Sequence, residues 1–229
     1  MSAVRVDRPA DRDRDGELPA GVVFDCDGTL ADTESLIDQV WVRMLQARGY
    51  EPSPEDFAAV VGHPFPQNWA YFTARAALGD EASFRRELRD GYQALLDTDL
   101  DLHHDAIDTL RALVDAGVPV GVASSSSHKG VVHVLDRAGV TDLVRVVVGA
   151  DDVARHKPHP EPYLTAAAAL GQRPEHCAAV EDTAVGVTAA VAAGMFTVGV
   201  VRAHGSHDLL AEADRTVDAV SVASLIRPR

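Results

Sequence analysis

The chain has 229 residues, of which 46% are hydrophobic, and a formal net charge of −14 at pH 7. No apolar run approaches the roughly 18 residues that a membrane-spanning helix needs. Because phosphate backbones and anionic headgroups repel a strongly acidic protein, we expect neither nucleic acid nor membrane as a partner. We expect a small molecule as the partner. We expect the protein itself to be a monomer or a weak homodimer.

The two cysteines, Cys26 and Cys177, lie within or beside apolar runs. We interpret them as small core residues, since neither a disulfide framework nor a zinc motif is apparent. A reducing compartment, the cytoplasm, is therefore the expected location. Residues 1–16 are rich in Arg and Asp and lack the apolar segment of a signal peptide, so we predict a disordered tail there.

The first chemical motif follows a short apolar run, Val22–Phe24, which predicts a buried strand. Asp25 and Asp27 come next, and Gly28 marks the turn out of the strand. Open α/β sheets place their ligands at this carboxyl end of a strand. Neighbouring carboxylates repel unless a cation lies between them, which favours a hard ion such as Mg²⁺. The alternative to a metal site is an Asp-rich turn that has only a structural role.

An all-helical insert is predicted over residues 33–103. Its first helix carries apolar residues at helical spacing, namely Leu36, Ile37, Val40, Trp41, Met44 and Leu45. Gly49 ends that helix, and the segment from Pro52 to His103 shows further helical patterns and no convincing strand. Residues 17–32 and 104–229 are then predicted to form one core.

Within this core, helices and strands alternate. Four glycines are predicted to end helices: Gly117, Gly139, Gly171 and Gly194. Apolar strands are predicted at 118–123, 144–148, 177–180 and 195–201. Short connections between alternating helices and strands indicate parallel βα units. The predicted fold class is therefore α/β, a doubly wound, Rossmann-like parallel sheet with an inserted helical domain.

Three further polar groups follow the predicted strands of the core. A serine run begins at Ser124, and hydroxyls with free N–H groups at a helix N-terminus can hold phosphate, although serines also serve as ordinary helix caps. Lys157 lies in a proline-rich loop and, taken alone, is equally explained as a surface charge. Glu181 and Asp182 form a second acidic pair, which could also cap a helix.

The order of these motifs resembles the haloacid dehalogenase superfamily, in particular its β-phosphoglucomutase-like phosphatase branch with a helical cap inserted after the first motif. The resemblance covers residues 20–225. It implies a phosphatase that acts on a small phosphate ester through a phosphoaspartate. Asp25 would be the nucleophile and Asp27 the general acid/base. It also implies Mg²⁺ held by Asp25, the backbone carbonyl of Asp27, Glu181 and Asp182.

The same resemblance implies a phosphate pocket formed by the Ser124 hydroxyl, with support from Ser125 and Gly28. Lys157 would balance the charge of the nucleophile and of the transferring phosphoryl group, and so would count among the catalytic residues. Phosphoryl transfer asks a protein mainly for positioning and charge neutralisation, which agrees with this set of groups.

Related activities of the same superfamily can be distinguished by residues that this sequence contains or lacks. Dehalogenases lack the second Asp of the first motif, which is present here as Asp27. Phosphonoacetaldehyde hydrolases use a lysine in the insert, and residues 33–103 contain none. Sugar phosphomutases keep a His where Ile37 stands and an Arg near His63, so a phosphatase acting on a sugar phosphate or similar metabolite is favoured over a mutase. A phosphosugar sensor without turnover is the non-enzymatic alternative.

Substrate selection is expected in the helical insert, because that part closes over the leaving group. The candidate residues are His63, Gln67, Asn68 and Trp41. His63 and Asn68 could bind sugar hydroxyls, and Trp41 could line the pocket or pack inside the insert.

Overall fold

The computed structural model describes residues 16–60, 65–202 and 205–228. The predicted tail thus lies outside the described residues apart from Gly16, as does the segment 61–64, which contains His63. The helices are α1 (Glu34–Gln46), α2 (Pro54–Ala58), α3 (Phe65–Thr73), α4 (Glu81–Thr98), α5 (His104–Asp115), α6 (His128–Ala138), α7 (Glu161–Ala169) and α8 (Ala184–Ala192). The strands are β1 (Gly21–Phe24), β2 (Ala31–Asp32), β3 (Asp101–Leu102), β4 (Val120–Ala123), β5 (Val146–Val148), β6 (Cys177–Glu181), β7 (Phe196–Val200) and β8 (Arg215–Val217).

Six strands form one sheet in the order β5-β4-β1-β6-β7-β8, and every neighbouring pair is parallel. Strand β1 lies near the middle, with β4 and β6 on its two sides. The side chains of Val22 and Phe24 enter one core cluster, whereas Val23 enters the other. Helices α5 and α6 contribute to the first cluster, and α7 and α8 to the second. The predicted doubly wound α/β fold is confirmed.

Four helices, α1 to α4, follow one another between Glu34 and Thr98, as the helical pattern predicts. The chain enters and leaves this segment through two-residue strands, β2 and β3, which pair antiparallel. This small ribbon is a difference from the prediction, which contained no strand between Pro52 and His103. Two residues are too few to produce a periodic pattern, and the pairing needs partners about 70 positions apart.

The structure corrects the assignment of Trp41 to the substrate pocket. Trp41 is only 5% exposed, and its ring lies 5.0 Å from Phe84, 5.3 Å from Phe72 and 5.8 Å from Phe65, measured between centroids. Aromatic rings at such separations pack favourably and bury large apolar areas. Trp41 therefore belongs to the core of the helical insert.

None of the helices in the described part of the chain is both long and apolar enough to cross a membrane.

Candidate active site

The nucleophile candidate, Asp25, lies directly after β1. Its backbone N–H donates to Val180 O at 2.9 Å, so the parallel pairing with β6 continues to this residue. The chain then turns sharply at Gly28, whose φ is +81°. A Cβ atom on Gly28 would lie 2.1 Å from Oδ2 of Asp182. Glycine is thus required for both the left-handed backbone and the close approach of the turn to Asp182.

We predict that Gly28→Ala weakens both folding and metal binding. The left-handed backbone alone costs an alanine about 1–2 kcal/mol, and the added methyl group must displace the Asp182 carboxylate. Thermal unfolding and Mg²⁺ titration measure the two effects. Gly49→Ala is the matched control, because Gly49 has φ +77° but no heavy atom within 4 Å of its Cβ position. An unchanged Mg²⁺ affinity in Gly28→Ala would contradict this view of the turn.

Lys157 is buried between two carboxylates. Its Nζ donates to Oδ1 of Asp25 and Oε1 of Glu181, both at 2.6 Å, and to Ala123 O at 3.0 Å. Side-chain exposure is 4% for Lys157, 8% for Asp25 and 0% for Glu181. Of the two explanations open from sequence, a surface charge or a site cation, the structure agrees with the second.

Glu181 ends β6 with both carboxylate oxygens engaged. Oε1 accepts from Lys157 and from the Tyr163 hydroxyl at 2.8 Å, and Oε2 accepts from the backbone and hydroxyl of Thr183 at 3.2 and 3.0 Å. Gly186 of α8 lies so close that a Cβ would overlap the carboxylate. The sequence did not single out Tyr163, since its hydroxyl is unremarkable within an Ala-rich helix. Glu181 primarily anchors Lys157 in this geometry.

Three carboxylates come together here: oxygens of Asp25, Glu181 and Asp182 lie within 4.8 Å of one another. Burial raises the pKa of Asp25 well above its usual range despite the opposing charge of Lys157. Burial, followed by the charge of Glu181, raises the pKa of Asp182 to about 8. Burial lowers the pKa of Lys157, but the two carboxylates outweigh it and raise that pKa. Fully ionised, the three carboxylates would carry more negative charge than Lys157 balances, which, together with burial, is why Asp25 and Asp182 hold their protons so strongly.

A divalent cation fits this excess of negative charge. All donors are oxygens, the ligand type that Mg²⁺ prefers. Lys157 binds Oδ1 of Asp25, and Thr29 donates to Oδ1 of Asp182 at 3.1 Å. Oδ2 of Asp25 and Oδ2 of Asp182 take no part in these two bonds. The side chain of Asp27 lies outside the cluster, which is compatible with a ligand role for its backbone carbonyl alone.

The Asp27 carboxylate points toward the serine run after β4. Its Oδ2 accepts from the hydroxyls of Ser124 and Ser126, both at 2.8 Å, and its Oδ1 accepts from Thr33 at 2.7 Å. Ser124 is buried, whereas Ser125 is exposed. Sequence reasoning missed Thr33 and Ser126. The only available signal for Ser126 was the serine run, in which four identical residues cannot be ranked.

Two other candidates of the helical insert, Gln67 and Asn68, lie on α3. Gln67 is exposed on α3, and Asn68 is half-buried. Oδ1 of Asn68 is buried and has no hydrogen-bond partner among the described residues. An unpaired buried amide oxygen costs free energy. His63 lies outside the described residues.

Comparison with known proteins places this fold and site. The family model of haloacid dehalogenase-like hydrolases matches residues 19–194. Validoxylamine A 7'-phosphate phosphatase of Streptomyces hygroscopicus subsp. limoneus is 33% identical over 84% of this chain and 90% of its own. Fructose-1-phosphate phosphatase YqaB of Escherichia coli is 30% identical over 80% of this chain and 97% of its own. The chain belongs to the haloacid dehalogenase-like hydrolase family.

Solved structures agree on the fold. A putative β-phosphoglucomutase from Thermotoga maritima superposes with a TM-score of 0.80, covering 90% of this chain and 95% of that one, at 24% identity. At this identity the likeness concerns the fold. The fold and family predicted from sequence are thus confirmed.

Proposed function

We propose that this protein is a Mg²⁺-dependent phosphatase that hydrolyses a small phosphorylated metabolite, a sugar phosphate or a close analogue, through a phosphoaspartate on Asp25. The observation that carries the proposal is the buried arrangement of Asp25, Lys157 and Glu181, with Asp182 beside them at the carboxyl end of β1 and β6. Family membership and the two named phosphatases support it.

The chemistry has two displacement steps. In the first, a carboxylate oxygen of Asp25 forms a bond to phosphorus, the ester P–O bond breaks, and Asp27 gives a proton to the departing oxygen. In the second, Asp27 takes a proton from water, whose oxygen attacks the phosphorus and releases inorganic phosphate, restoring Asp25. Asp25, the Asp27 carbonyl, Glu181 and Asp182 would hold Mg²⁺, which would supply neutralising charge for the anionic phosphoryl group.

The remaining groups position the phosphoryl group and balance its charge. Lys157 neutralises Asp25, so that an anionic nucleophile can approach an anionic phosphate. Ser124, Ser125 and the backbone at Gly28 form the phosphate pocket in this proposal. Ser124 and Gly28 lie on loops that follow adjacent strands, β4 and β1, which is the placement that a shared pocket requires.

Water is the proposed acceptor, not a second sugar. Three arginines of the insert form ion pairs within it: Arg48 with Glu87, Arg75 with Asp56 and Arg85 with Glu81. Residues 33–103 contain no lysine. These ion pairs and the lack of lysine support water over a second phosphate ester as the acceptor. We propose that His63, Gln67 and Asn68 select among leaving groups.

A Mg²⁺-dependent panel of sugar phosphates, phosphoglycolate, phosphogluconate and nucleotides tests the function, with released phosphate as the readout. The expected result is turnover of one or a few esters that EDTA abolishes. Incubation with β-glucose 1-phosphate and a bisphosphate primer separates the alternatives. Glucose 6-phosphate in place of free phosphate would identify a mutase, and binding without turnover would identify a sensor.

We also infer an organisation of a core (17–32 and 104–229) and a helical cap (33–103), acting as a monomer or weak homodimer. A cytoplasmic location is proposed because Cys26 and Cys177 are both free thiols and buried. No nucleic acid or membrane partner is proposed.

We predict that Mg²⁺ stabilises the protein more at about pH 8 than at about pH 6. The pKa of Asp182 rises from the ordinary 3.8 to about 8 in the metal-free fold. The folded state therefore keeps a proton that the unfolded chain releases, and the metal-free protein loses stability as pH rises between these values. Mg²⁺ must displace that proton, so its affinity rises by up to about tenfold per pH unit below 8.

Thermal unfolding with excess Mg²⁺ or with EDTA at the two pH values measures this effect. Asp182→Asn is the matched variant, because it keeps the shape but has no proton to displace and should lose most of the difference. An equal gain from Mg²⁺ at both pH values in the unmodified protein would contradict the assignment of Asp182 as a ligand.

A further inference from the structure

Arg202 lies at the sheet edge that carries the candidate active site. It comes two residues after the end of β7, which runs parallel to β6, and Asp182 directly follows β6. Val201 N donates to Val217 O at 2.8 Å, which extends the pairing of β7 with β8. Arg202 O accepts from Gly205 N at 2.9 Å. Both bonds are independent of the Arg202 side chain, so a substitution there does not remove them.

The guanidinium group of Arg202 binds two parts of the chain that are far apart in sequence. Its Nη2 donates to Thr29 O at 3.3 Å and to Oδ1 and Oδ2 of Asp105 at 3.1 and 3.2 Å. Side-chain exposure is 14% for Arg202 and 24% for Asp105, and Thr29 is fully buried. Most of this contact is thus shielded from water.

Asp105 fixes the direction of the guanidinium group. Its Oδ2 also accepts from Val220 N at 2.7 Å, so the carboxylate is anchored to the C-terminal part of the chain. Burial would raise the pKa of Asp105, but the hydrogen bonds from Val220 and Arg202 and the charge of Arg202 outweigh it and lower that pKa. Asp105 is therefore ionised near neutral pH and pairs with an arginine that is always charged.

Thr29 connects this ion pair to the acidic cluster. Its carbonyl accepts from Arg202, and its hydroxyl donates to Oδ1 of Asp182 at 3.1 Å. It directly follows Gly28, whose left-handed turn brings this segment against Asp182. Because a threonine side chain is branched at Cβ and stiff at χ1, a bond that holds the Thr29 backbone also orients the hydroxyl.

The same arginine spans both connections to the helical insert. Thr29 lies just before β2, through which the chain enters the insert, and Asp105 lies just after β3, through which the chain returns. A backbone hydrogen bond from His103 N to Leu30 O, 2.9 Å long, joins the two connections. Arg202 therefore ties both connections to the carboxyl edge of the sheet.

We propose that Arg202 is a positioning residue for the metal site, because it holds Thr29 so that the Thr29 hydroxyl keeps the Asp182 carboxylate in place for Mg²⁺. The inference rests on the Mg²⁺ site of the proposed function. Groups that bind and orient a metal ligand affect metal affinity without touching the metal. Arg202 acts one step further out, since its bond reaches Asp182 only through Thr29.

Mg²⁺ affinity, measured by calorimetric titration of the full chain, tests the proposal in a double-mutant cycle. Thr29→Val removes the hydroxyl that binds Asp182 and should weaken Mg²⁺ binding about tenfold. Arg202→Met should weaken it about three- to tenfold. In the Thr29→Val background, Arg202→Met should change the affinity less than about twofold, because the contact through which Arg202 acts is already lost. An equal loss in both backgrounds, or no loss in either, would overturn the proposal.

Arg215→Met is the matched control for the removal of an arginine. Arg215 also binds backbone carbonyls, since its Nη1 donates to Ala223 O and Ser224 O at 3.0 and 2.7 Å, but it lies on the edge strand β8. Its substitution should lower thermal stability and leave Mg²⁺ affinity unchanged. A fall in affinity as large as that of Arg202→Met would mean that the metal site responds to any loss of stability, which contradicts a specific role for Arg202.

Combining Arg202→Met with Asp105→Asn separates stability from metal binding. The single Arg202→Met variant leaves the Asp105 carboxylate without its cation, which lowers thermal stability. In the double variant that charge is gone and the amide oxygen can still accept from Val220, so stability should be regained while Mg²⁺ affinity stays low. Recovery of affinity together with stability would reduce Arg202 to a purely structural residue. A wild-type protein that binds no Mg²⁺ would instead overturn the metal site of the proposed function.

Discussion

Asp25→Asn should abolish phosphate release and leave the protein folded. Removing the nucleophile of a covalent mechanism should cost roughly 10⁴-fold or more in turnover, since an amide cannot form the acyl phosphate. The fold should survive because the amide fills the same space and Lys157 keeps its 2.6 Å contact with Glu181. The variant also removes a carboxylate whose pKa burial raises, which relieves a local excess of charge.

Phosphate release in the presence of Mg²⁺ measures the activity, and circular dichroism with thermal unfolding checks the fold. Asp90→Asn is the matched control, because Asp90 has 72% side-chain exposure on α4 and lies outside the acidic cluster. Acid-quenched wild-type enzyme should carry a phosphoryl group on Asp25 that the variant lacks. Turnover near that of the wild type in purified Asp25→Asn would remove Asp25 from the mechanism. Asp25→Ala should behave in the same way, which excludes a trace of deamidated protein as the source.

The sequence predicted the fold best where burial is complete. Strands β1, β4, β6 and β7 are buried along their whole length, so each appears as a mainly apolar run, with Thr197 inside β7 and Glu181 at the end of β6 as the exceptions. Strand β8, with the polar residues Arg215 and Thr216 and only partial burial, lacks this signal and was not predicted. The ribbon of β2 and β3 is shorter still. A strand that depends on its neighbours more than on its own burial leaves little trace in the sequence.

The residues of the site also differ in how far the sequence alone could predict their positions. The positions of Asp25 and Asp182 follow from their place at strand ends, because a parallel sheet brings those ends to one edge. Lys157 lies in a loop, and only its resemblance to a known motif suggested that it meets Asp25, 132 residues away. The hydrogen-bond partners of Asp27 depend on side-chain rotamers, which a sequence pattern does not specify. The placement of Trp41 depends on three phenylalanines from other helices, which a helical pattern in α1 cannot reveal.

Lys157→Met should lower both stability and activity. Methionine has a similar length, but it leaves the buried carboxylates of Asp25 and Glu181 without a cation. Removing one partner of a buried ion pair typically costs about 3–5 kcal/mol, because the remaining charge is uncompensated. Loss of an electrostatic group at the reacting centre should lower kcat about 10²–10³-fold or more.

A second substitution separates the two effects. In Lys157→Met combined with Glu181→Gln, one uncompensated charge is removed, and the contacts of Glu181 with Tyr163 and Thr183 can be retained by the amide. The double variant should therefore regain much of the lost thermal stability. Its turnover should remain at the level of the single variant, because the phosphoryl group and Asp25 still lack the ammonium. Recovery of activity together with stability would show that Lys157 supports only the fold. A single variant as stable as the wild type would contradict the stabilising role of Lys157 in this site.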